Sequence, residues 1–132
     1  MSYLIDTDII IYSLKAHEAV TRSFQDHRET PKSLSVISYG ELVYGAHKSN
    51  SIEKNLAIAH RVAELLPIIP VSPVIIETFG QLKASLEKDG QRIDDMDLLI
   101  ASTALTHNLV LVTNNVKHFG RIKGLELENW TT

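Results

Sequence analysis

Apolar residues along this chain fall into short runs separated by longer stretches with helical spacing. Residues 2–5 and 109–112 predict two buried strands, and the second is a continuous apolar run of the kind found in parallel sheets. Residues 34–37 alternate between polar and apolar and predict a further strand, and residues 68–71 predict a short one. The alternating tail at residues 125–130 predicts an edge strand.

Helices are predicted in the intervals between these strands. The first begins with Thr7 or Asp8 as its N-cap, and an amphipathic second helix covers residues 17–28. The third opens at Ser38, where Ser38-x-x-Glu41 matches a capping box. Three further helices are predicted to begin at Ser51, Ser72-Pro73 and Asp94. Strands that alternate with helices in this way predict a layered α/β domain with a mainly parallel sheet.

Composition narrows the class of protein. The chain has 132 residues, the size of one ordinary domain, and 44% of them are hydrophobic, enough for a full core. It contains no cysteine, which excludes disulfides, thiolate metal sites and a cysteine nucleophile and suits a reducing cytoplasm. No apolar stretch approaches the ~20 residues that cross a membrane, and the N-terminus lacks the basic segment of a signal peptide. We therefore expect a single cytoplasmic domain over residues 1–132 that does not enter a membrane.

The net charge of −3 argues against binding to polyanions through overall charge. An enzyme of this composition that acts on nucleic acid needs a local basic rim, or metal ions, to hold phosphates. The basic residues that could form such a rim are Lys15, Lys48, Arg92, Lys117 and Arg121.

Acidic side chains end the first predicted strand. In open α/β sheets ligands bind outside the carboxyl ends of the strands, which is where Asp6 lies. A charged side chain at such a position is costly unless it is compensated, and a divalent cation compensates it well. Helix capping explains Asp8 easily but explains Asp6 poorly, because Asp6 precedes the helix and follows a buried strand.

Two further acidic segments and one polar segment could join this site. For Glu41 taken alone, the capping box is the favoured interpretation. The run Asp94-Asp95-x-Asp97 has more acid than capping needs, and Asp97 is expected to be half-buried beside an apolar helix. Thr113-Asn114-Asn115 ends a buried strand and is either an ordinary polar turn or a set of hydrogen-bonding and water-holding groups at the same sheet edge as Asp6.

The order and spacing of these segments resemble those of the PIN-domain ribonucleases, and most closely the VapC-type toxins of bacterial toxin–antitoxin pairs. The resemblance extends over essentially the whole chain. The segments that carry it are Leu4-Ile5-Asp6-Thr7-Asp8-Ile9-Ile10-Ile11-Tyr12, Ser38-Tyr39-Gly40-Glu41-Leu42-Val43-Tyr44-Gly45-Ala46, Asp97-Leu98-Leu99-Ile100-Ala101, Leu111-Val112-Thr113-Asn114-Asn115 and Gly124-Leu125-Glu126-Leu127-Glu128-Asn129-Trp130.

The resemblance implies a three-layer α/β/α fold and a set of site residues. Asp6, Glu41 and Asp97 correspond to the family's acidic triad and metal ligands. Asn115 takes the place of the family's fourth acidic residue. Whether the site binds one metal ion or two is therefore left open. Many relatives have asparagine at the position of Asp8, which makes an orienting role the expectation for it. The residues expected to position substrate or water are Thr7, Asp8, Thr113 and Asn114. No role is assigned to His60, His107 or His118.

The chemistry expected of this site is metal-dependent hydrolysis of RNA. Oxygen ligands without cysteine, and without a well-placed histidine, suit Mg²⁺, with Mn²⁺ as an alternative. Crowded carboxylates repel one another, so in the absence of metal at least one should have a raised pKa. By resemblance, the products carry a 5′-phosphate and a 3′-hydroxyl.

The expected partners also come from the resemblance. They are the RNA substrate, a cognate VapB-like antitoxin, a second copy in a homodimer, and operator DNA in a larger assembly with the antitoxin. Apolar residues of the first two helices are candidate antitoxin contacts, although core packing is the favoured interpretation for most of them. These residues are Ile10, Ile11, Leu14, Ala19, Val20 and Phe24.

Two other functions fit part of the pattern. Asp6-Thr7-Asp8 matches the Asp-x-Asp opening of aspartate-nucleophile phosphatases, but Ile10 departs from that pattern and Glu41 is left unexplained. A non-catalytic RNA-binding domain of the same fold is the second alternative. It gives no reason for an acidic triad whose members repel one another.

Overall fold

Five short strands form one sheet in the computed structural model, which describes residues 1–132. Their order across the sheet is β3-β2-β1-β4-β5, and every neighbouring pair is parallel. The strands are β1 (Tyr3–Ile5), β2 (Lys32–Ser35), β3 (Ile68–Ile69), β4 (Val110–Val112) and β5 (Leu127–Glu128). Because all five run the same way, their carboxyl ends lie along one edge, with β1 at the centre between β2 and β4.

Seven helices cover the two faces of this sheet. They are α1 (Thr7–Leu14), α2 (Glu18–Asp26), α3 (Val36–Lys48), α4 (Ile52–Leu65), α5 (Pro73–Lys88), α6 (Asp95–Thr106) and α7 (Val116–Phe119). None of them combines the length and the apolar character that crossing a lipid bilayer requires. The short helix α7 is absent from the sequence prediction.

Side chains alternate between the faces of the central strand and so divide the core in two. Tyr3 and Ile5 of β1 join a cluster with buried residues of α1, α2 and α4. Leu4 points the other way and joins a second cluster with residues of α5, α6 and α7. The predicted α/β fold with three layers and a mainly parallel sheet is therefore confirmed.

The start of α1 differs from the sequence prediction. Asp6, not Thr7 or Asp8, is the N-cap residue, and its Oδ1 accepts a hydrogen bond of 2.8 Å from the backbone N–H of Thr7. The helix begins directly after the strand because Asp6 keeps an extended backbone while its side chain already satisfies a helical N–H. Asp6 thus ends the strand and caps the helix at once.

The start of α3 also differs. Ser35 is the N-cap, with Oγ accepting from the N–H of Ile37 at 3.1 Å, so Val36 and Ile37 are helical rather than part of the predicted strand. Ser38 is already inside the helix and fully buried, and the predicted capping box is wrong. The β-branched residues favour a strand, but the Ser35 cap ends it. Glu41 therefore lies in the second turn, and its side chain is free to bond elsewhere.

This difference can be tested on stability. Ser35→Ala removes a buried cap and should lower the free energy of unfolding by about 1 kcal/mol. Ser38→Ala removes a buried hydroxyl that has no hydrogen-bond partner, so stability should stay equal or rise by about 0.5 kcal/mol. Urea unfolding should show that Ser35→Ala is less stable than Ser38→Ala. A capping box at Ser38 requires the reverse order of stability.

Candidate active site

An open cleft of about 290 Å³ lies at the carboxyl edge of the sheet. The residues that line it are Asp6, Thr7, Asp8, Ile11, Glu41, Asp97 and Asn115. They come from four separate places, namely the β1–α1 junction, the second turn of α3, the first turn of α6 and the turn after β4. The structure thus brings the predicted triad of Asp6, Glu41 and Asp97 to one cleft, together with Asn115.

Asp6 is held rigidly at the base of this cleft. It is 7% exposed, and while Oδ1 accepts from the Thr7 amide, Oδ2 accepts from Thr113 Oγ1 at 2.8 Å. The fully buried Thr113 hydroxyl also accepts from the N–H of Asn115 at 3.0 Å. Thr113 therefore fixes both the carboxylate and the polar turn that follows β4.

Asp8 and Asn114 are joined through the backbone. Asp8 Oδ2 accepts from the N–H of Asn114 at 3.1 Å, whereas Asp8 Oδ1 is buried without any hydrogen-bond partner. The Asn114 side chain is directed away from the cleft, toward the C-terminal tail. Its Oδ1 accepts from Asn129 Nδ2 at 3.2 Å and from Thr131 Oγ1 at 3.0 Å. Asn114 thus links the tail to the acidic edge.

Glu41 is positioned by a contact between helices. The Thr7 hydroxyl on α1 donates to Glu41 Oε1 on α3 at 2.6 Å, which joins residues that are 34 positions apart. Because Thr7 directly follows Asp6, this one bond sets the relative position of two of the three predicted acids.

Asp97 has a neighbour that sequence reasoning missed. His118 Nε2, on α7, lies 3.2 Å from Asp97 Oδ2, although no role was assigned to this residue from the sequence. Asp97 is half-buried, as predicted, with 32% of its side chain exposed. The signal for α7 was available in the sequence, because Asn115 and Gly120 flank the four residues of the helix as its caps.

The electrostatics of the cleft are those of crowded, uncompensated acids. Burial raises the pKa of Asp6 to about 7, with further upward contributions from the Asp8 and Asp97 charges, against hydrogen bonds from Thr113 and Thr7. Burial likewise raises the pKa of Asp8 and of Asp97, and His118 opposes the rise at Asp97. The expected rise in at least one carboxyl pKa is therefore found at three positions.

The donor set suits a hard divalent cation. The side chains facing the cleft offer oxygen ligands, and the buried Asp8 Oδ1 and the raised pKa of Asp6 both mark negative charge without a counter-charge. No three His, Cys, Asp or Glu side chains are grouped closely enough to hold one ion by themselves. Such an open arrangement fits Mg²⁺, which is usually bound through one or two carboxylates and retains several waters.

Comparison with known proteins shows the family to which this chain belongs. The PIN domain family matches residues 3–125. Ribonuclease VapC2 of Haemophilus influenzae is 35% identical over 130 residues, which cover 98% of both chains. The tRNA(fMet)-specific endonuclease VapC of Shigella flexneri is 30% identical over 131 residues, 99% of both chains. Among solved structures, VapBC2 from Rickettsia felis bound to a DNA fragment from its promoter has a TM-score of 0.91 at 36% identity, covering 98% of this chain and 99% of that chain.

The match of the PIN domain family to residues 3–125 thus shows that this parallel-sheet domain is a PIN domain. Several relatives that are 30–38% identical over nearly their full length are VapC proteins. The chain belongs to the VapC group of the PIN-domain family, which confirms the resemblance seen in the sequence motifs.

The raised pKa of Asp6 predicts how stability depends on pH. The folded state holds this proton up to about pH 7, whereas the unfolded chain releases it near 3.8, so metal-free protein should lose stability as the pH rises between these values. The loss from Asp6 is at most about 4 kcal/mol. Asp6→Asn should be more stable at neutral pH and should flatten this dependence. Urea unfolding in a chelator at several pH values measures it.

The matched control for this measurement is Asp95→Asn. Asp95 lies in the first turn of α6 like Asp97, but its side chain is 57% exposed and pairs with Lys83. The free energy of unfolding of Asp95→Asn should change with pH as that of the wild type does. An Asp6→Asn variant with an unchanged slope contradicts the assignment of the raised pKa.

Proposed function

We propose that this protein is a Mg²⁺-dependent endoribonuclease and the toxin of a toxin–antitoxin pair. The observation that carries the proposal is the meeting of Asp6, Glu41 and Asp97 in one cleft, with Asp6 buried and short of counter-charge. The ribonuclease names of the full-length relatives support RNA as the substrate. Mn²⁺ is the alternative ion, since it accepts the same oxygen ligands.

In this proposal Asp6 and Asp97 hold the ion, and Glu41 completes its ligand shell or orients water. A bound divalent ion neutralises the acidic cluster, polarises the scissile phosphate and lowers the pKa of water. The buried position of Asp6, with both oxygens fixed by Thr7 and Thr113, keeps its lone pairs in one orientation. Side chains that do not move on binding lose little entropy.

The remaining residues act on the water and the substrate. Thr7 occupies Glu41 Oε1 and leaves Oε2 free to accept a hydrogen bond from the attacking water. Asn115 lines the cleft as a neutral amide, so it can donate to a phosphate oxygen without adding negative charge. Water attacks phosphorus and loses a proton to solvent, the bond to the 3′-oxygen breaks, and that oxygen takes up a proton from solvent, so the products carry a 5′-phosphate and a 3′-hydroxyl.

The structure bears on the two alternatives. A phosphatase that uses Asp6 as its nucleophile gives no role to Glu41, which Thr7 holds at the same cleft. A non-catalytic RNA-binding domain has no use for a cluster whose carboxylates are destabilised by burial. Binding of Mg²⁺ to the isolated protein, measured by calorimetry, separates the nuclease from this second alternative.

The antitoxin is proposed to bind in a groove beside the cleft. This groove encloses about 330 Å³ and is lined by Ile11, Leu14, Glu41, Leu42, Gly45, Ala46, Lys54, Asn55, Ile58 and Ala59. Of the contacts expected from the sequence, Ile10 and Val20 are buried in the core, whereas Ile11 and Leu14 are 40% and 50% exposed. Since Ile11 and Glu41 line both groove and cleft, a chain seated in the groove also covers the approach to the acids.

A larger assembly is part of the same proposal. The solved VapBC2 structure from Rickettsia felis contains promoter DNA, and a VapBC structure from Salmonella typhimurium, 31% identical with a TM-score of 0.91, is also DNA-bound. We infer that this chain forms a homodimer that assembles with a VapB-like antitoxin on operator DNA.

The nuclease activity is tested by removing single charges. Asp6→Asn and Asp97→Asn should each lower cleavage of RNA in Mg²⁺ by about 100-fold or more, because loss of even an outer-shell partner costs about 10- to 100-fold. Asp95→Asn, whose side chain pairs with Lys83, should cleave like the wild type. Gel analysis of end-labelled RNA measures the rates and the chemistry of the ends. Full cleavage by both site variants rules out the proposed nuclease.

The groove is tested with a charge placed on its apolar wall. Leu14→Asp should weaken the complex with a cognate VapB-like antitoxin by about 10-fold or more, because a buried unpaired carboxylate is costly. Cleavage of RNA should persist, since Leu14 does not line the cleft. Leu65→Asp, at an exposed position outside the groove, is the control. Calorimetry measures affinity, and equal binding by both variants places the antitoxin elsewhere.

A further inference from the structure

His118 has one polar neighbour for its buried ring nitrogen. Nε2 lies 3.2 Å from Asp97 Oδ2 and is shielded from solvent, and it makes no hydrogen bond of good geometry with any group. The ring packs edge-on against Phe119, with centroids 5.3 Å apart and planes at 80°. A buried ring nitrogen needs a partner, and here the carboxylate is the only one within reach.

The surrounding fold fixes the ring in this place. Phe119 is 1% exposed and belongs to the core cluster that includes residues of α6, so α7 packs on the same core as the helix that carries Asp97. Gly120 lets the chain turn tightly after α7, because a Cβ there would meet the Val116 carbonyl oxygen at 2.8 Å. The histidine is therefore placed by packing and by a turn, not by its own contact with Asp97.

We propose that His118 is a positioning residue for Asp97: its Nε2–H is the donor within reach of Oδ2, and a hydrogen bond between them directs Oδ1 toward the divalent ion. The inference rests on the proposed function, because it requires Asp97 to be a ligand of that ion. It assigns a role to a residue that the acidic triad leaves out, and it makes α7 part of the site.

The neighbouring acids show why Asp97 depends on this donor. The side chain of Asp94, the N-cap residue of α6, accepts from the N–H of Met96 at 3.2 Å. Asp95 pairs with Lys83 at 3.0 Å. Asp97, on the same turn, has no hydrogen bond from any other side chain. Without His118 its carboxylate could rotate freely at the mouth of the cleft. Outer partners of this kind are worth about 10- to 100-fold in metal affinity.

The test is metal binding by the full-length protein, without substrate. Titration calorimetry with MgCl₂ and with MnCl₂ should show that His118→Leu binds about 10- to 100-fold more weakly than wild type. His118→Gln can still donate through its amide and should stay within a few-fold of wild type. His60→Leu removes an exposed histidine from α4 and serves as the matched control.

Cleavage kinetics add a second readout. If His118 acts through Asp97 and the ion, the loss of cleavage in His118→Leu should shrink as the Mg²⁺ concentration is raised. A loss that is independent of Mg²⁺, or a His118→Gln variant as weak as His118→Leu, overturns the inference. So does a folded His118→Leu variant that binds metal like the wild type.

A measurement on the unmutated protein covers the case in which His118→Leu does not fold. In ¹⁵N-histidine-labelled protein, Mg²⁺ should shift the His118 Nε2 resonance and leave that of His60 in place, and an unmoved His118 signal overturns the inference. Wild-type protein that binds no metal overturns the proposed function and the inference together. Metal binding with an unaffected His118 overturns the inference alone.

Discussion

The crowding of carboxylates at the carboxyl end of β1 is the constraint on which the rest of this structure depends. Burial raises the pKa of Asp6 to about 7, and the neighbouring charges of Asp8 and Asp97 add to the rise. Such an arrangement is stable only if the scaffold holds it from outside. The parallel sheet does so, since it places β1 between β2 and β4 and brings the segments after all three strands to one edge.

Hydrogen bonds from neutral donors stabilise the buried carboxylates in their positions. Thr113 and the Thr7 amide each donate to Asp6, and the Asn114 amide donates to Asp8. These donors fix the carboxylates without cancelling their charge, because none of them is cationic. The site therefore keeps a strong attraction for a divalent ion. A lysine or arginine donor could not replace these neutral donors, because its positive charge would cancel that attraction.

Much of this could be predicted from the sequence, and the exceptions have physical causes. Asp6, Glu41, Asp97 and Asn115 were identified because short motifs at strand ends depend on local pattern and on family likeness. The predicted cap at Ser38 was wrong because two serines three positions apart offer similar local signals, and the pairing of β2 with β3, which ends at Ser35, selects Ser35. His118 was missed because its contact with Asp97 crosses 21 positions and depends on how α7 packs, which local pattern does not contain.

The bond between Thr7 and Glu41 connects the cleft to the apolar groove beside it. It ties α1 to α3, and these two helices supply Ile11 and Glu41 to both surfaces. A ligand that presses α1 and α3 together or apart must therefore change the position of Glu41 relative to Asp6. Occupation of the groove can thus act on the acids in two ways, by covering them and by moving one of them. Inhibition by a partner in this groove needs no separate regulatory element, because the two surfaces share their walls.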